Sequence, residues 1–170
     1  MLLAKAFSTY ARPLLEYNCQ VFNPITVHET NLIEAVQRRF IKRIYLRCGL
    51  DRETSYIDRC KHLNIHTLEH RRAILDILLL FKILHGKTIL NANNFINFAD
   101  IRVRGYSKKN LKAKYVPRDL TSSCNFFFRT VSLWNNLPAS VKDAPTLSIF
   151  KTLLLSLPVD AIVPESLIRL

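Results

Sequence analysis

The side chains best suited to chemistry in this chain gather between Cys60 and His70, where Cys60, His62, His66 and His70 follow one another closely. Histidines at i, i+4 and i+8 would line one face of a continuous helix, and neutral imidazoles ligate zinc well. Continuity is the weak point. Leu63 to Thr67 reads as a joint between two helices, and no carboxylate stands where a zinc hydrolase needs its general base. The histidines are therefore expected to be surface or ion-paired groups, with no metal and no cofactor. Cys19, Cys48, Cys60 and Cys124 are scattered, and no two have the short spacing that presents paired thiolates to a metal. They read as reduced thiols that mostly fill core space. A Cys-His nucleophile pair needs no proximity in sequence, yet nothing singles one out. The 13 carboxylates include no Asp-Asp pair of the kind that holds two magnesium ions, and 3 dispersed glycines cannot form a phosphate loop. Polymerase, nuclease or NTPase chemistry by this chain alone is not expected.

Charge is the stronger signal. Lys and Arg total 25 against 13 Asp and Glu, a formal charge of +12, and such an excess attracts polyanions through counterion release. The cations concentrate twice. Arg38 and Lys42, and Arg39 and Arg43, repeat at i,i+4, which places them together on one side of a helix. Between Asp100 and Asp119 no acidic residue interrupts Arg102, Arg104, Lys108, Lys109, Lys112, Lys114 and Arg118. RNA or DNA is the expected partner, gripped by its phosphates and without sequence specificity. Two plainer readings stand beside this one. In one the helical cations pair with Glu34, Glu69 or Asp76, or with another part of a longer protein; in the other the second run is a solvated connector. Tyr106 and Tyr115 lie within that run and are weak evidence for base stacking.

The elements that must position these groups are mainly α-helical. Leu2, Leu3, Ala6, Phe7 and Tyr10 have helical spacing, Pro13 marks a new turn or kink, and the apolar pattern continues through Leu14, Leu15, Tyr17, Val21 and Phe22 to Asn23-Pro24. A helix over 30–47 should bury Leu32, Ile33, Val36, Phe40 and Ile44. Thr54 or Ser55 can cap a short helix to Leu63, and Thr67 a longer one to His85, with Gly86 as its left-handed stop. The second half of that helix, from Ile74 to Leu84, is apolar on almost every side and reads as the centre of a bundle. Arg72 and Asp76 have the spacing of an i,i+4 ion pair. Phe126, Phe127, Phe128, Val131, Leu133 and Trp134 form a packing anchor, as strand or short helix, before the Asn135-Asn136-Leu137-Pro138 turn. Thr146 can cap a last helix through Leu147, Phe150, Leu153, Leu154 and Leu157, ended by Pro158. The expected layout is a helical bundle over 1–88, a basic irregular linker over 89–120, a small aromatic and helical module over 121–158 and a tail over 159–170. The N-terminus has no uninterrupted apolar leader, and the run from Ile74 to Leu84 is too short to span a bilayer. An intracellular protein, nuclear or cytoplasmic, not secreted and not in a membrane, is the expectation.

Several stretches carry a resemblance in order: A-R-P-L-L-E-Y at 11–17, L-I-E-A-V-Q-R-R-F at 32–40 followed by Lys42-Arg43-Ile44, L-E-H-R-R at 68–72, and F-K-I-L-H-G at 81–86. F-F-F-R-T-V-S-L-W-N-N-L-P at 126–138 and A-P-T-L-S-I-F-K at 144–151 complete it. Together these resemble the C-terminal region of reverse transcriptases of non-LTR retrotransposons, the jockey and CR1-like group, over residues 1 to about 157. The resemblance implies the thumb and the segment beyond it, which help grip template and primer, with the remainder of a full-length polymerase as a further partner. It also implies that the catalytic Asp-Asp would lie upstream of Met1, outside this chain, which is then expected to be a fragment without catalysis of its own. The family's endonuclease domain and the Cys-His zinc knuckle of some relatives are absent here, and 159–170 departs from the pattern.

Overall fold

The computed structural model describes residues 2–24, 26–51, 53–99, 109–115 and 125–162. The fold is mainly α, as the sequence leads one to expect. It comprises two compact units, Met1–Arg72 and Ala73–Leu170. The division therefore falls inside the long apolar helix, whereas the sequence suggests a boundary in the loop after it.

Unit 1 begins with α1 (Leu2–Ala6), a single π-helical turn (Phe7–Ala11) and α2 (Arg12–Glu16), with Pro13 in the first turn of α2. Pro13 has no N–H to donate, and it follows a π turn in which Arg12 N–H reaches back to the Phe7 carbonyl, so the ordinary i to i−4 ladder is already interrupted there. The helical run stops at Glu16, short of the expected Phe22. Asn18 takes a left-handed conformation, φ 55°, which Asn tolerates better than most residues. Next comes α3 (Val27–Arg47), which starts earlier than Thr30 because Thr26 and Glu29 form a reciprocal capping box: Glu29 N–H donates to Thr26 Oγ1 at 3.1 Å, and Thr26 N–H to Glu29 Oε2 at 3.0 Å. Ser55 caps α4 (Tyr56–His62), and the joint at 63–67 leads into α5 (Leu68–Leu84), whose first turn is capped by Thr67 Oγ1 on His70 N–H at 3.2 Å. The unit's apolar centre is small. Ala4, Ile41, Ile44, Cys60 and Ile65 are buried, with Phe40, Tyr56 and Leu63 alongside, and Phe7 stacks on Phe40 at 4.5 Å.

In unit 2 the apolar part of α5 does what its composition suggests. Ile74, Ile77, Leu80 and Phe81 join Val131, Leu133, Trp134, Leu137, Phe150 and Leu154 in one continuous core. Gly86 ends the helix at φ +63°, a conformation Gly adopts without Cβ penalty. The aromatic segment is helical, α6 (Phe126–Asn136), followed by α7 (Ala139–Lys142), α8 (Leu147–Ser156) with its Thr146 cap, and α9 (Val159–Ile162). Phe150 is fully buried between Phe81 and Trp134, at ring-centroid distances of 4.2 and 5.8 Å.

Two expectations need correction here. The stretch taken as an irregular linker contains a short 3-10 turn (Ala92–Asn94) and an antiparallel pair, β1 (Ile96–Phe98) with β2 (Leu111–Ala113), in register Ile96 to Ala113 and Phe98 to Leu111. Period-two alternation turns Asn97 and Lys112 to one side and lets Ile96 and Leu111 enter the core. Asp76 does not pair with Arg72 either. It accepts from Arg129 Nε at 2.8 Å and Nη2 at 3.2 Å, because a forked guanidinium from α6 meets the carboxylate in two parallel bonds that an i,i+4 neighbour on one helix cannot match.

Candidate nucleic-acid interface

The helical cations owe their position to what lies on the opposite side of α3. The buried residues of this helix are Glu34, Gln37, Ile41, Ile44 and Tyr45; of the expected set Ile44 is buried and Phe40 packs against the core, whereas Leu32 and Val36 are exposed. Polar groups turned inward must find partners, and these do. The Glu34 carboxylate accepts the N–H groups of Leu68 and Glu69 at 3.1 and 3.3 Å, so that it caps α5 from across the unit, and it also accepts the Tyr56 hydroxyl. A carboxylate suits the positive end of a helix dipole. Gln37 Nε2 donates to the His66 carbonyl and to Tyr56 Oη, each at 3.0 Å. These directional bonds set the rotation of α3 about its axis. The consequence is that Arg38, Arg39, Lys42 and Arg43 all face outward.

None of the four enters an ion pair among the described residues. Arg38 lies over the Tyr56 ring at 5.2 Å, a cation-π contact that steadies one guanidinium without neutralising it. Of the carboxylates considered as internal partners, Glu34 is taken up by α5 and Tyr56 and Asp76 by Arg129, and Glu69 forms no ion pair with any of the four cations among the described residues. Like charges at i,i+4 thus repel one another by a few tenths of a kcal/mol per pair, and a polyanion would relieve that. Arg47, also exposed, extends the Arg39 and Arg43 row by one more turn. The same i+4 repeat in the sequence that marks the first four includes it.

The described part of the second basic run belongs to the other unit. Lys109, Lys112 and Lys114 belong to unit 2, and Arg102, Arg104, Lys108 and Arg118 lie outside the described residues. Lys109 pairs with Asp143, and Lys114 donates to the Asn93 carbonyl. Lys112 faces outward from β2. The segment is held by the W-N-N motif. Trp134 Nε1 donates to the Lys109 carbonyl at 2.9 Å, and the Asn135 amide both accepts the Leu111 N–H at 2.8 Å and donates to its carbonyl at 2.9 Å. Lys142, buried and with its pKa lowered by that burial, donates to Asn110 Oδ1 and to the Asn135 carbonyl, both at 2.9 Å. These residues act as the missing neighbour of an edge strand. The aromatic block is a packing element whose indole N–H finds a carbonyl.

The Cys-His group separates on the fold. Cys60 is buried on α4, and burial pushes its thiol up to about 11, far from the thiolate a nucleophile needs at neutral pH. His62 Nδ1 meets the Tyr45 hydroxyl at 2.8 Å. His66 and His70 pair ring to ring at 5.0 Å, with His70 pushed down to about 4 by burial, then by His66 and Arg71. Among the described residues no group of three His, Cys, Asp or Glu side chains has a metal-ligating arrangement. Cys19 and Cys60 are buried thiols and Cys48 an exposed one; Cys124 lies outside the described residues. No described helix is long and apolar enough to cross a membrane.

Compared with known proteins, the chain matches no family profile and no solved structure. It is 38% identical over 74 residues to an uncharacterized protein of Caenorhabditis elegans, a match that covers 44% of this chain and 36% of that protein. The aligned stretch is thus about a third of that relative's length.

Proposed function

We propose that this chain is the thumb-like C-terminal part of a non-LTR retrotransposon reverse transcriptase, an RNA-directed DNA polymerase. In this reading it binds RNA or DNA non-specifically through the outer face of α3 and carries no catalytic palm of its own. The observation that carries the binding half is the row of outward cations at Arg38, Arg39, Lys42 and Arg43, with no acidic partner among the described residues. The family half rests on the ordered motifs from Ala11 to Lys151. Phosphate contact needs charge and reach, and both are present without base readout. Lys112 on β2 is a secondary contact.

Affinity for a short RNA or DNA should fall on the order of a thousandfold between roughly 50 and 200 mM salt if about six phosphates are neutralised. Replacing Arg38, Arg39, Lys42 and Arg43 by Gln should abolish most of that dependence while unfolding stability stays within about 0.5 kcal/mol, as for exposed sites generally. A binding isotherm insensitive to salt would refute the reading. The alternative is a structural or protein-interaction domain, a domesticated or non-functional remnant. The exposed Tyr10, Leu14 and Tyr17 favour it, and it predicts that the Gln variant changes no nucleic-acid binding because there is none to change.

A further inference from the structure

Beside the basic row, the same helix carries an apolar surface that unit 1 does not bury. Leu32, Val36, Arg39 and Arg43 follow one another at spacings of four, three and four residues and so share one side of α3. Leu32 is 58% and Val36 47% exposed. Phe22, just before α3, is 77% exposed, and its ring lines an open groove of about 390 Å³ with Asn23, Pro24, Glu29, Leu32 and Ile33. From Leu32 to Arg39 the helix rises roughly 10 Å, and to Arg43 roughly 16 Å. An apolar groove with one large aromatic ring therefore stands in line with the phosphate-binding cations and within a few nucleotides of them.

The polar rim of the groove narrows what can occupy it. Its ionic group is Glu29, whose Oε2 accepts the Thr26 N–H at 3.0 Å. A carboxylate repels a phosphate, and the Asn23 amide can both accept a hydrogen bond from an exocyclic amine and donate one to a ring nitrogen or carbonyl. An apolar aromatic wall with an acceptor at its edge suits the flat face and amino edge of an unpaired base. The cations farther along α3 suit the phosphates that follow it.

We propose that this groove is a base-stacking subsite, in which Phe22 receives an unpaired nucleobase while Arg39 and Arg43 hold the neighbouring phosphates, so that the face prefers single-stranded to duplex nucleic acid. The inference rests on the nucleic-acid reading above and goes further by naming the strand state and the residue that senses it. Aromatic stacking of an unpaired base is tolerant of sequence and adds substantially to affinity. In a duplex the same base faces are covered by their neighbours, so Phe22 contributes little there.

The test uses the full chain with three probes: a short labelled oligo-adenylate, a duplex of equal length, and inorganic polyphosphate, which has the charge but no base. Phe22→Ala should weaken oligo-adenylate roughly tenfold or more, weaken the duplex far less and leave polyphosphate unchanged. Phe22→Trp supplies an independent reading, because the native Trp134 is buried and the added indole would sit in the groove. Its emission should be quenched by oligo-adenylate and not by polyphosphate. Equal losses for all three probes in Phe22→Ala, or an unquenched Phe22→Trp saturated with oligo-adenylate, would overturn the stacking subsite and leave the basic face standing. If the unmodified chain binds none of the probes, the nucleic-acid reading itself falls and this inference goes with it.

Discussion

The two units are held together by different means. Unit 2 has one continuous apolar core in which Phe81, Trp134 and Phe150 stack, and its principal buried ion pair, Asp76 with Arg129, accompanies that core. Unit 1 has a small apolar centre and a buried polar junction, where Glu34, Gln37 and Tyr56 join α3, α4 and the start of α5 through hydrogen bonds. It also leaves Leu14, Tyr17, Phe22 and Leu32 in solvent. Apolar packing is indifferent to direction, whereas a hydrogen-bonded junction fixes the rotation of the helix that carries it. In unit 1 the directional bonds decide how α3 is turned, and its row of cations faces outward as a result.

Substitutions can break this contrast, and the largest effect is expected in unit 2. Phe150→Ala removes a fully buried ring and should cost about 3–5 kcal/mol, read from the denaturation midpoint of Trp134 emission in the same unit. Glu34→Gln should cost about 2–3 kcal/mol, since an amide cannot serve as acceptor for Tyr56 and two backbone N–H groups as a carboxylate does. Here helical circular dichroism should respond more than Trp134 emission. If Glu34→Gln leaves stability unchanged, the polar junction is incidental and the contrast fails.

Acid should distinguish the units next. His70 is pushed down to about 4 by burial, then by His66 and Arg71, and His66 is lowered by burial, Arg71 and Arg12. As pH falls below 6.5, the ordinary histidine value, the unfolded chain takes up protons at both rings more readily than the folded chain does, and the folded chain refuses one at His70 until about pH 4. Stability is therefore full above pH 6.5 and declines toward pH 4, by about 2–3 kcal/mol. Glu69, raised mainly by burial, acts in the opposite sense, because its penalty on the folded state grows as pH rises above the usual carboxylate range. His70→Gln should flatten the acid slope in urea midpoints measured across that window, and an unchanged slope would assign it to other groups. The smallest effect sharpens the account of α3 alone. Thr26→Ala should cost about 1 kcal/mol by removing one arm of the capping box, seen as a small drop in the thermal midpoint.

Local rules were legible where one stretch of chain contains both partners. Ser55, Thr67 and Thr146 cap the helices that follow them, and Gly86 closes the apolar one. The capping box of α3 was equally local, since Thr26 and Glu29 have the required spacing. Its Val27-His28 start lacks the apolar repeat on which the helix reading relied. The candidate face was legible in its residues, through the i,i+4 repeat from Arg38 to Arg43, and illegible in its surroundings. Hydrophobicity turns Leu32 and Val36 inward, whereas the structure buries Glu34 and Gln37 instead. Nothing within α3 announces that Leu68, Glu69 and the His66 carbonyl wait to satisfy them.

By itself the sequence determined the mainly helical class, most helix ends, the apolar heart of α5 and the cationic character of the outer face of α3. Each follows from periodicity, capping or charge within a few residues. Tertiary structure alone decided which way α3 is turned, that Asp76 belongs to Arg129 and not to Arg72, and that Trp134, Asn135 and Lys142 clasp a strand in a stretch that reads as linker. Those outcomes depend on partners far along the chain, whose hydrogen bonds and ion pairs outweigh the few tenths of a kcal/mol that neighbouring helical positions contribute.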